Sequence, residues 1–174
     1  ACLAVVSSNV AAATITHGGL STNDDGSTNI ITDTLNNYEW LRFDVLAPLT
    51  YADTLAVLNT QDGGGWSIAG VNEANMFVSS LLSPSSNACS TASTANETCG
   101  FATGWLDGDF GADDGASNDY VFYMTGALVG QLRITQDLGG TNDGKVQAYN
   151  EWGTIADSDY FSGRLHPEIS WLLY

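Results

Sequence analysis

Basic residues are scarce in this sequence. Its 174 residues include 4 Lys and Arg against 20 Asp and Glu, so the formal net charge is −16 at pH 7. A surface of this sign repels polyanions and lacks the cationic side chains that neutralise phosphate groups. The composition therefore predicts that neither nucleic acid nor an anionic membrane surface is a partner.

Long apolar runs are missing as well. A membrane-spanning helix needs about 18 consecutive apolar residues, and no stretch of the chain approaches that length. Hydrophobic residues make up 44% of the chain, which is enough for the core of one domain of ordinary size. Only 14% of the residues are charged, and Asn, Ser, Thr and Gly supply the remaining polar surface. This balance is typical of extracellular β-rich proteins, so we expect a secreted protein without a membrane span, extracellular or on a cell surface.

Recognised catalytic motifs are also absent from the sequence. The two histidines, His17 and His166, are far apart, and neither lies in a zinc or nucleophile motif. The residues of a Ser-His-Asp triad can be far apart in sequence and close together only in the folded protein. A carboxylate pair for glycoside hydrolysis could occur in any chain this acidic. Because neither arrangement is singled out by a motif, we expect a protein that is not an enzyme.

Cysteine is rare, with three residues in the chain. Cys89 and Cys99 flank a loop of nine residues rich in Ser, Thr, Ala and Asn. A disulfide between them would close this loop and stabilise the fold by about 2–3 kcal/mol, and two free thiols are the alternative. Cys2 then has no predicted partner in the chain. The alternatives for it are an intermolecular disulfide, a lipid attachment point and a free thiol.

Two short helices are predicted in the first half of the chain. Thr50 precedes Asp53 by three residues, a capping-box variant that begins a helix with Asp in place of Glu. A second helix follows from about Asn72 and ends before Pro84. Apolar residues recur at helical spacing in both helices. They are Tyr51, Leu55 and Leu58 in the first, and Ala74, Phe77, Val78, Leu81 and Leu82 in the second.

Three segments carry a resemblance to a known family. They are 33–42 (DTLNNYEWLR), 49–53 (LTYAD) and 64–69 (GGWSIA). The order of strand, helix, Gly-Trp strand and a helix opening with Asn-Glu-Ala resembles the first half of a C-type-lectin-like domain. The amino-acid sequences of the three segments are similar to those of secreted bacterial proteins of the PEP-CTERM type. The resemblance covers residues 30–82. It implies an α+β fold in which two short helices pack on a mainly antiparallel sheet.

This chain departs from the lectin-like pattern in two ways. The cysteines that the family places in the helix and in the last strand are absent, and so is its sugar-selecting Glu-Pro-Asn triplet. Carbohydrate binding is therefore not inherited from the resemblance, because a fold does not by itself carry a function.

The second half of the chain is predicted to be β-rich. Apolar or alternating runs indicate strands, and Gly-rich or Asn-rich stretches between them indicate turns. The predicted strands of the second half are 120–124, 128–135, 145–149 and 169–174, with a predicted turn at 139–144. In the first half, the predicted strands are 14–16, 29–31 and 38–43, with a predicted turn at 23–26. We divide the chain into an extended N-terminal segment, 1–16, and a single lectin-like domain, 17–174.

An acidic loop is the strongest candidate site in the sequence. Alternating carboxylate oxygens, with glycines that permit tight curvature, are typical of Ca²⁺ sites. The candidate ligands are Asp107, Asp109, Asp113, Asp114, Asn118 and Asp119. A solvated acidic loop in which Asp and Gly merely form turns is the alternative. We expect Ca²⁺ here, since crowded carboxylates repel one another without a cation.

Aromatic residues suggest a second kind of ligand. The chain has 5 Trp and 7 Tyr, and the faces of such rings stack on pyranose sugars. Trp105 stands beside the acidic loop and is the candidate for binding a saccharide together with calcium. Core packing is the commoner fate of tryptophan in strands, as we expect for Trp40, Trp66 and Trp171.

Two functions remain open at this point. The first is a secreted structural subunit that assembles with copies of itself into an extracellular filament or sheath, since apolar segments at both ends could add strands to a neighbour's sheet. The candidate assembly residues are Val5, Val6, Val10, Ile15, Trp171 and Leu172. The second is a calcium-dependent module that binds polysaccharide on a bacterial surface. We favour self-assembly, because no local motif specifies a sugar.

Overall fold

The computed structural model describes residues 12–84, 89, 97–111, 118–141, 143–164 and 170–174, with the side chains of 161–164 left out. Within these residues the chain is α+β, with two mainly antiparallel sheets and three α-helices. The predicted α+β class is therefore confirmed. None of the described helices is long and apolar enough to span a bilayer.

The first sheet is a four-stranded antiparallel meander in the order β1-β2-β3-β4. Its strands are β1 (Thr14–His17), β2 (Leu20–Asn23), β3 (Ile30–Asp33) and β4 (Tyr38–Leu41). The sequence did not predict β2, which forms a tight hairpin with β1, so the turn at 23–26 joins β2 to β3. The predicted domain boundary after residue 16 falls inside β1.

The second sheet has five strands in the order β5-β8-β7-β6-β9. They are β5 (Glu97–Phe101), β6 (Asn118–Thr125), β7 (Leu128–Thr135), β8 (Lys145–Gly153) and β9 (Ser170–Trp171). Neighbouring strands are antiparallel except for β9, which lies parallel to β6. The predicted β-rich second half is therefore present, although it also contains a helix that the sequence did not predict.

The helices are α1 (Tyr51–Val57), α2 (Val71–Leu81) and α3 (Ile155–Arg164), with a 3₁₀ turn (Leu58–Thr60) after α1. Thr50 caps α1 as predicted, because its hydroxyl accepts a hydrogen bond from the backbone N–H of Asp53 at 3.1 Å. α2 buries Ala74, Phe77, Val78 and Leu81 on one face, as its spacing predicts. This face packs into a core that also contains Trp40, Trp105 and Phe110.

The C-terminal segment 170–174 is largely buried. Its backbone makes hydrogen bonds to strands of both sheets and to the segment 67–69, so it joins parts of the chain that are far apart in sequence. The partners are Leu172 N with Phe122 O (2.8 Å), Ala69 N with Leu172 O (2.8 Å), Leu41 N with Leu173 O (3.1 Å) and Tyr174 N with Ser67 O (3.1 Å). The predicted closing strand is therefore paired within its own chain.

Candidate functional site

A cleft of about 760 Å³ opens beside the C-terminal segment. It lies between the β3–β4 hairpin and the glycine-rich loop 62–67, and Tyr174 also lines it. This volume is within the range of about 300–1,000 Å³ that is usual for small-molecule sites. The cleft is therefore large enough for one or a few sugar units or another small ligand.

Asp33 shapes the hairpin side of the cleft. Its buried carboxylate accepts hydrogen bonds from the backbone N–H groups of Leu35 and Asn36, at 3.0 Å each, and from the hydroxyl of Ser80 at 2.7 Å. These bonds hold the turn that leads into β4 and tie it to α2. Asp33 therefore lines the cleft as a structural residue whose oxygens already have protein partners.

Glycines shape the opposite side. Gly63, Gly64 and Gly65 all have positive φ angles, of 91°, 78° and 88°. A Cβ atom on Gly64 would lie 2.7 Å from the carbonyl oxygen of Asn59, so this position also requires the absence of a side chain. The tight turn brings the indole N–H of Trp66 within 2.9 Å of the Gln61 carbonyl, which fixes the ring at the base of the loop.

Aromatic rings form part of the lining. Tyr38 stacks on the buried Trp40 at 5.6 Å between ring centroids with an interplanar angle of 24°, and it lies 5.7 Å from Tyr174. Both tyrosines are half-buried and line the cleft. Burial, together with the nearby Glu73 and Tyr38, raises the pKa of Tyr174. Its phenol therefore stays neutral and can both donate and accept a hydrogen bond.

The polar side chains around these rings are neutral or acidic. Glu39 and Asp62 are exposed at the cleft, and the hydroxyl and amide groups come from Thr32, Thr34, Asn37 and Ser67. No lysine or arginine is among the described residues that line it. The cleft thus combines aromatic faces, neutral hydrogen-bonding groups and negative charge.

Sequence reasoning did not identify this cleft as a site. Tyr38 and residues 64–66 lie in the segments that resemble the lectin-like family. Their spacing does not predict that they are close to Tyr174, which lies over a hundred positions later. The available signal was a run of three glycines before a tryptophan, which indicates a tightly built loop.

Two of the predicted calcium ligands in the acidic loop, Asp109 and Asn118, accept hydrogen bonds from other parts of the protein. Asp109 accepts hydrogen bonds from the His17 ring at 2.6 Å and from the backbone N–H of Leu106 at 2.7 Å. Asn118 accepts hydrogen bonds from Arg133 at 2.9 Å and from Thr135 at 3.0 Å. Asp109 is thus bonded to β1 through His17, and Asn118 of β6 is bonded to β7 through Arg133 and Thr135.

Asp119 is the most unusual member of the acidic set. Its side chain is 3% exposed and accepts a hydrogen bond from the indole N–H of Trp105. Burial, opposed by this hydrogen bond and reinforced by the neighbouring Asp107 carboxylate, raises the pKa of Asp119 to about 8. The environment of Asp119 therefore favours the protonated form of its carboxyl group.

Calcium at this loop stays a prediction. Asp113 and Asp114 lie outside the described residues, and the described part of the chain contains no group of three or more His, Cys, Asp or Glu that could hold a metal ion.

Trp105 does not bind a saccharide in this conformation. Its ring is fully buried, 4.9 Å from His17 and 5.0 Å from Phe110 between centroids. The expectation that Trp105 stacks on a sugar is therefore wrong for this fold. Its apolar body belongs to the core, and its one polar atom is used by Asp119.

The candidate assembly residues fall into three groups. Trp171 and Leu172 are buried in their own chain, so they are not available to a neighbouring subunit, contrary to the prediction. Ile15 lies half-buried in β1, packed against the core. The remaining candidates, Val5, Val6 and Val10, lie outside the described residues, as does Cys2.

Cys89 and Cys99 are joined in the structure, with their Cα atoms 4.9 Å apart. This separation is within the range that disulfides adopt. The bond connects Cys99 of β5 to Cys89, and both residues belong to the core cluster that contains the buried face of α2.

Comparisons with protein-family models, with curated proteins and with solved structures give no match for this chain. The resemblance to C-type-lectin-like and PEP-CTERM-type proteins therefore stays a prediction. A function for this chain has to be argued from its own geometry.

Proposed function

We propose that this chain is a non-catalytic, extracellular saccharide-binding module whose site is the cleft between the β3–β4 hairpin and the loop 62–67. The observation that carries the proposal is the pair of half-buried tyrosines, Tyr38 and Tyr174, that line an open cleft of about 760 Å³. The contacts proposed for the saccharide do not require calcium.

The chemistry of the lining favours a sugar over an apolar ligand. Tyrosine offers a flat apolar face for a pyranose ring and a hydroxyl group for its polar edge. Neutral hydrogen-bonding groups at Thr32, Asn37 and Ser67 line the cleft with the rings and match the hydroxyl groups of a saccharide. An apolar ligand would leave these polar groups desolvated without partners, which costs binding free energy.

The walls of the cleft are held in place before any ligand binds. Asp33 fixes the hairpin, Gly64 fixes the opposite loop, and Tyr38 rests on Trp40. A prearranged site loses less conformational entropy on binding, so a modest number of contacts is enough for measurable affinity.

The test is saccharide binding on a glycan array, followed by titration calorimetry with the best ligand. We expect Tyr38→Ala to weaken binding by about tenfold or more, which corresponds to the loss of one good contact. Tyr160→Ala is the matched control, because Tyr160 is 56% exposed on α3 and does not line the cleft. Circular dichroism establishes that both variants fold. A blank array, or equal binding by the two folded variants, would overturn the proposal.

We also propose a second function, self-assembly through the N-terminal segment, because β1 is an edge strand of the first sheet within the described residues. β1 pairs with β2 on one side, and no described strand lies along its other edge. An unpaired edge is a template for a strand from another copy. Residues 1–11 directly precede this edge and are rich in Ala and Val.

The structure sharpens the test of assembly. A deletion of residues 1–11 leaves β1 complete, because this strand begins at Thr14. We expect the intact chain to form larger species as its concentration rises, measured by size-exclusion chromatography and electron microscopy, and the shortened chain to stay monomeric. Identical monomers of both chains would exclude assembly through this segment.

A further inference from the structure

We infer that the cleft selects saccharides that carry a protonated amino group over neutral and acidic saccharides. This inference rests on the proposed saccharide-binding function and adds a substrate class to it. The cleft offers two carboxylates and two tyrosine faces to a ligand, and no cationic side chain among its described lining residues.

The two carboxylates belong to the two chain segments that form the cleft. Glu39 is part of β4, and Asp62 lies in the loop before the three glycines. Both side chains are exposed, and no hydrogen bond or ion pair engages either carboxylate within the described residues. A bound ammonium group therefore does not have to displace a protein partner from them.

Asp33, by contrast, already accepts hydrogen bonds from neighbouring groups and adds negative potential without offering a free oxygen. Its position at the turn of the β3–β4 hairpin places a third acidic residue in the lining. A cleft bordered by charge of one sign raises the local concentration of ligands of the opposite sign.

The tyrosines add to this preference. The faces of Tyr38 and Tyr174 carry the negative part of the ring quadrupole, which attracts a cation placed above the ring. The same faces stack on the sugar ring that carries the amino group. A uronic acid would meet the same carboxylates and ring faces with a like charge, which is unfavourable.

The experiment compares three oligosaccharides of equal length: a glucosamine oligomer, the corresponding N-acetylglucosamine oligomer, and a galacturonate oligomer. Binding is measured by calorimetry at a mildly acidic pH at which the glucosamine amines are protonated. We expect the glucosamine oligomer to bind about tenfold more tightly than the N-acetylated one, and the galacturonate oligomer to bind least. The preference should shrink as salt is added, because exposed charges are screened.

The critical variant is the double substitution Glu39→Gln and Asp62→Asn. Asparagine suits position 62, because Asp62 has a φ of 34° and Asn tolerates the left-handed region. The matched control is Asp24→Asn with Glu151→Gln, which removes the same charge from exposed positions outside the cleft. We expect the cleft variant to lose the preference for the amine while it retains the N-acetylated oligomer, and the control variant to retain both.

The outcomes separate this inference from the proposed function. Equal binding of the amino and N-acetylated oligomers overturns the inference and leaves the saccharide-binding function intact. An equal loss in the cleft and control variants also overturns it, because the attraction would then come from the overall charge of −16. A lysine-rich peptide that binds as tightly as the glucosamine oligomer would point to a cationic peptide ligand instead. Failure of all three oligosaccharides to bind contradicts the proposed function itself.

Discussion

The backbone N–H of Leu41 donates a hydrogen bond to the carbonyl oxygen of Leu173 at 3.1 Å. This bond joins the end of β4 to the C-terminal segment. The preceding residue, Leu172, accepts a backbone hydrogen bond from Ala69 and donates one to Phe122 of the second sheet. The last residues of the chain therefore connect the two sheets. The cleft lies beside this connection, since Tyr174 lines it.

The central position of the C-terminal segment predicts a large effect of Leu172→Ala. Leu172 is 0% exposed, and removing a fully buried leucine side chain costs about 2–5 kcal/mol of unfolding free energy. Leu138→Ala is the control, because Leu138 is 71% exposed, and its loss should stay within about 0.5 kcal/mol. Urea unfolding measures both. Similar small losses would show that the C-terminal segment is not part of the core.

The raised pKa of the buried Asp119 carboxyl group leads us to predict that the stability of the fold depends on pH. The native pKa of about 8 lies above 3.8, the ordinary value for an aspartic acid side chain, so between these values the native state keeps a proton that the unfolded chain has released. Stability is therefore greatest below pH 3.8 as far as this group is concerned, and it falls as the pH rises toward 8. Unfolding midpoints over this range, in buffer containing a chelator, measure the slope.

Asp119→Asn tests the origin of this slope. The amide has the same shape, accepts the hydrogen bond from Trp105 and does not titrate. We expect a flatter profile and, at pH 8, a variant that is at least as stable as the original protein. Asp24→Asn, in an exposed turn, is the control and should leave the slope unchanged. The assignment fails if Asp119→Asn retains the full slope.

We predict that the geometry of the loop 62–67 at Gly64 affects saccharide binding. Gly64→Ala places a Cβ atom 2.7 Å from the Asn59 carbonyl oxygen at a φ of 78°, and we expect a loss of about 1–3 kcal/mol in stability together with weaker saccharide binding. Gly63→Ala is the matched control, since its φ is also positive but no atom lies within 4 Å of the added Cβ. The difference between the two variants isolates the clash from the backbone strain. Equal effects would mean that close packing at Gly64 is unimportant.

Calcium binding by the acidic loop can be tested directly by thermal unfolding. A cation that binds only the native state raises the unfolding midpoint as its concentration increases. If the loop binds calcium, we expect this rise with Ca²⁺ and not with Na⁺ at equal ionic strength. The double variant Asp113→Asn, Asp114→Asn should then show no rise. An unchanged midpoint at every Ca²⁺ concentration would leave the alternative, a solvated acidic loop.

The local elements of this fold were predictable because their signals lie within a few residues. The cap of α1 depends on Thr50 and Asp53, and the buried face of α2 depends on a helical spacing of apolar residues. β2 was missed, since Leu20–Asn23 is short and its polar residues are as compatible with a turn as with a strand. α3 was missed because its sequence, IADSDYFSGR, has few apolar positions to mark a buried face.

The amino-acid sequence alone determined the charge, the α+β class and the helices of the first half, because composition and periodicity are properties of neighbouring residues. Only the tertiary structure decided that Trp105 is buried, that Asp119 loses contact with water and that Tyr38 and Tyr174 line one cleft. These outcomes depend on which distant segments pack together. The physical reason is that burial and electrostatic environment are set by contacts between residues far apart in the chain, and no local pattern encodes them.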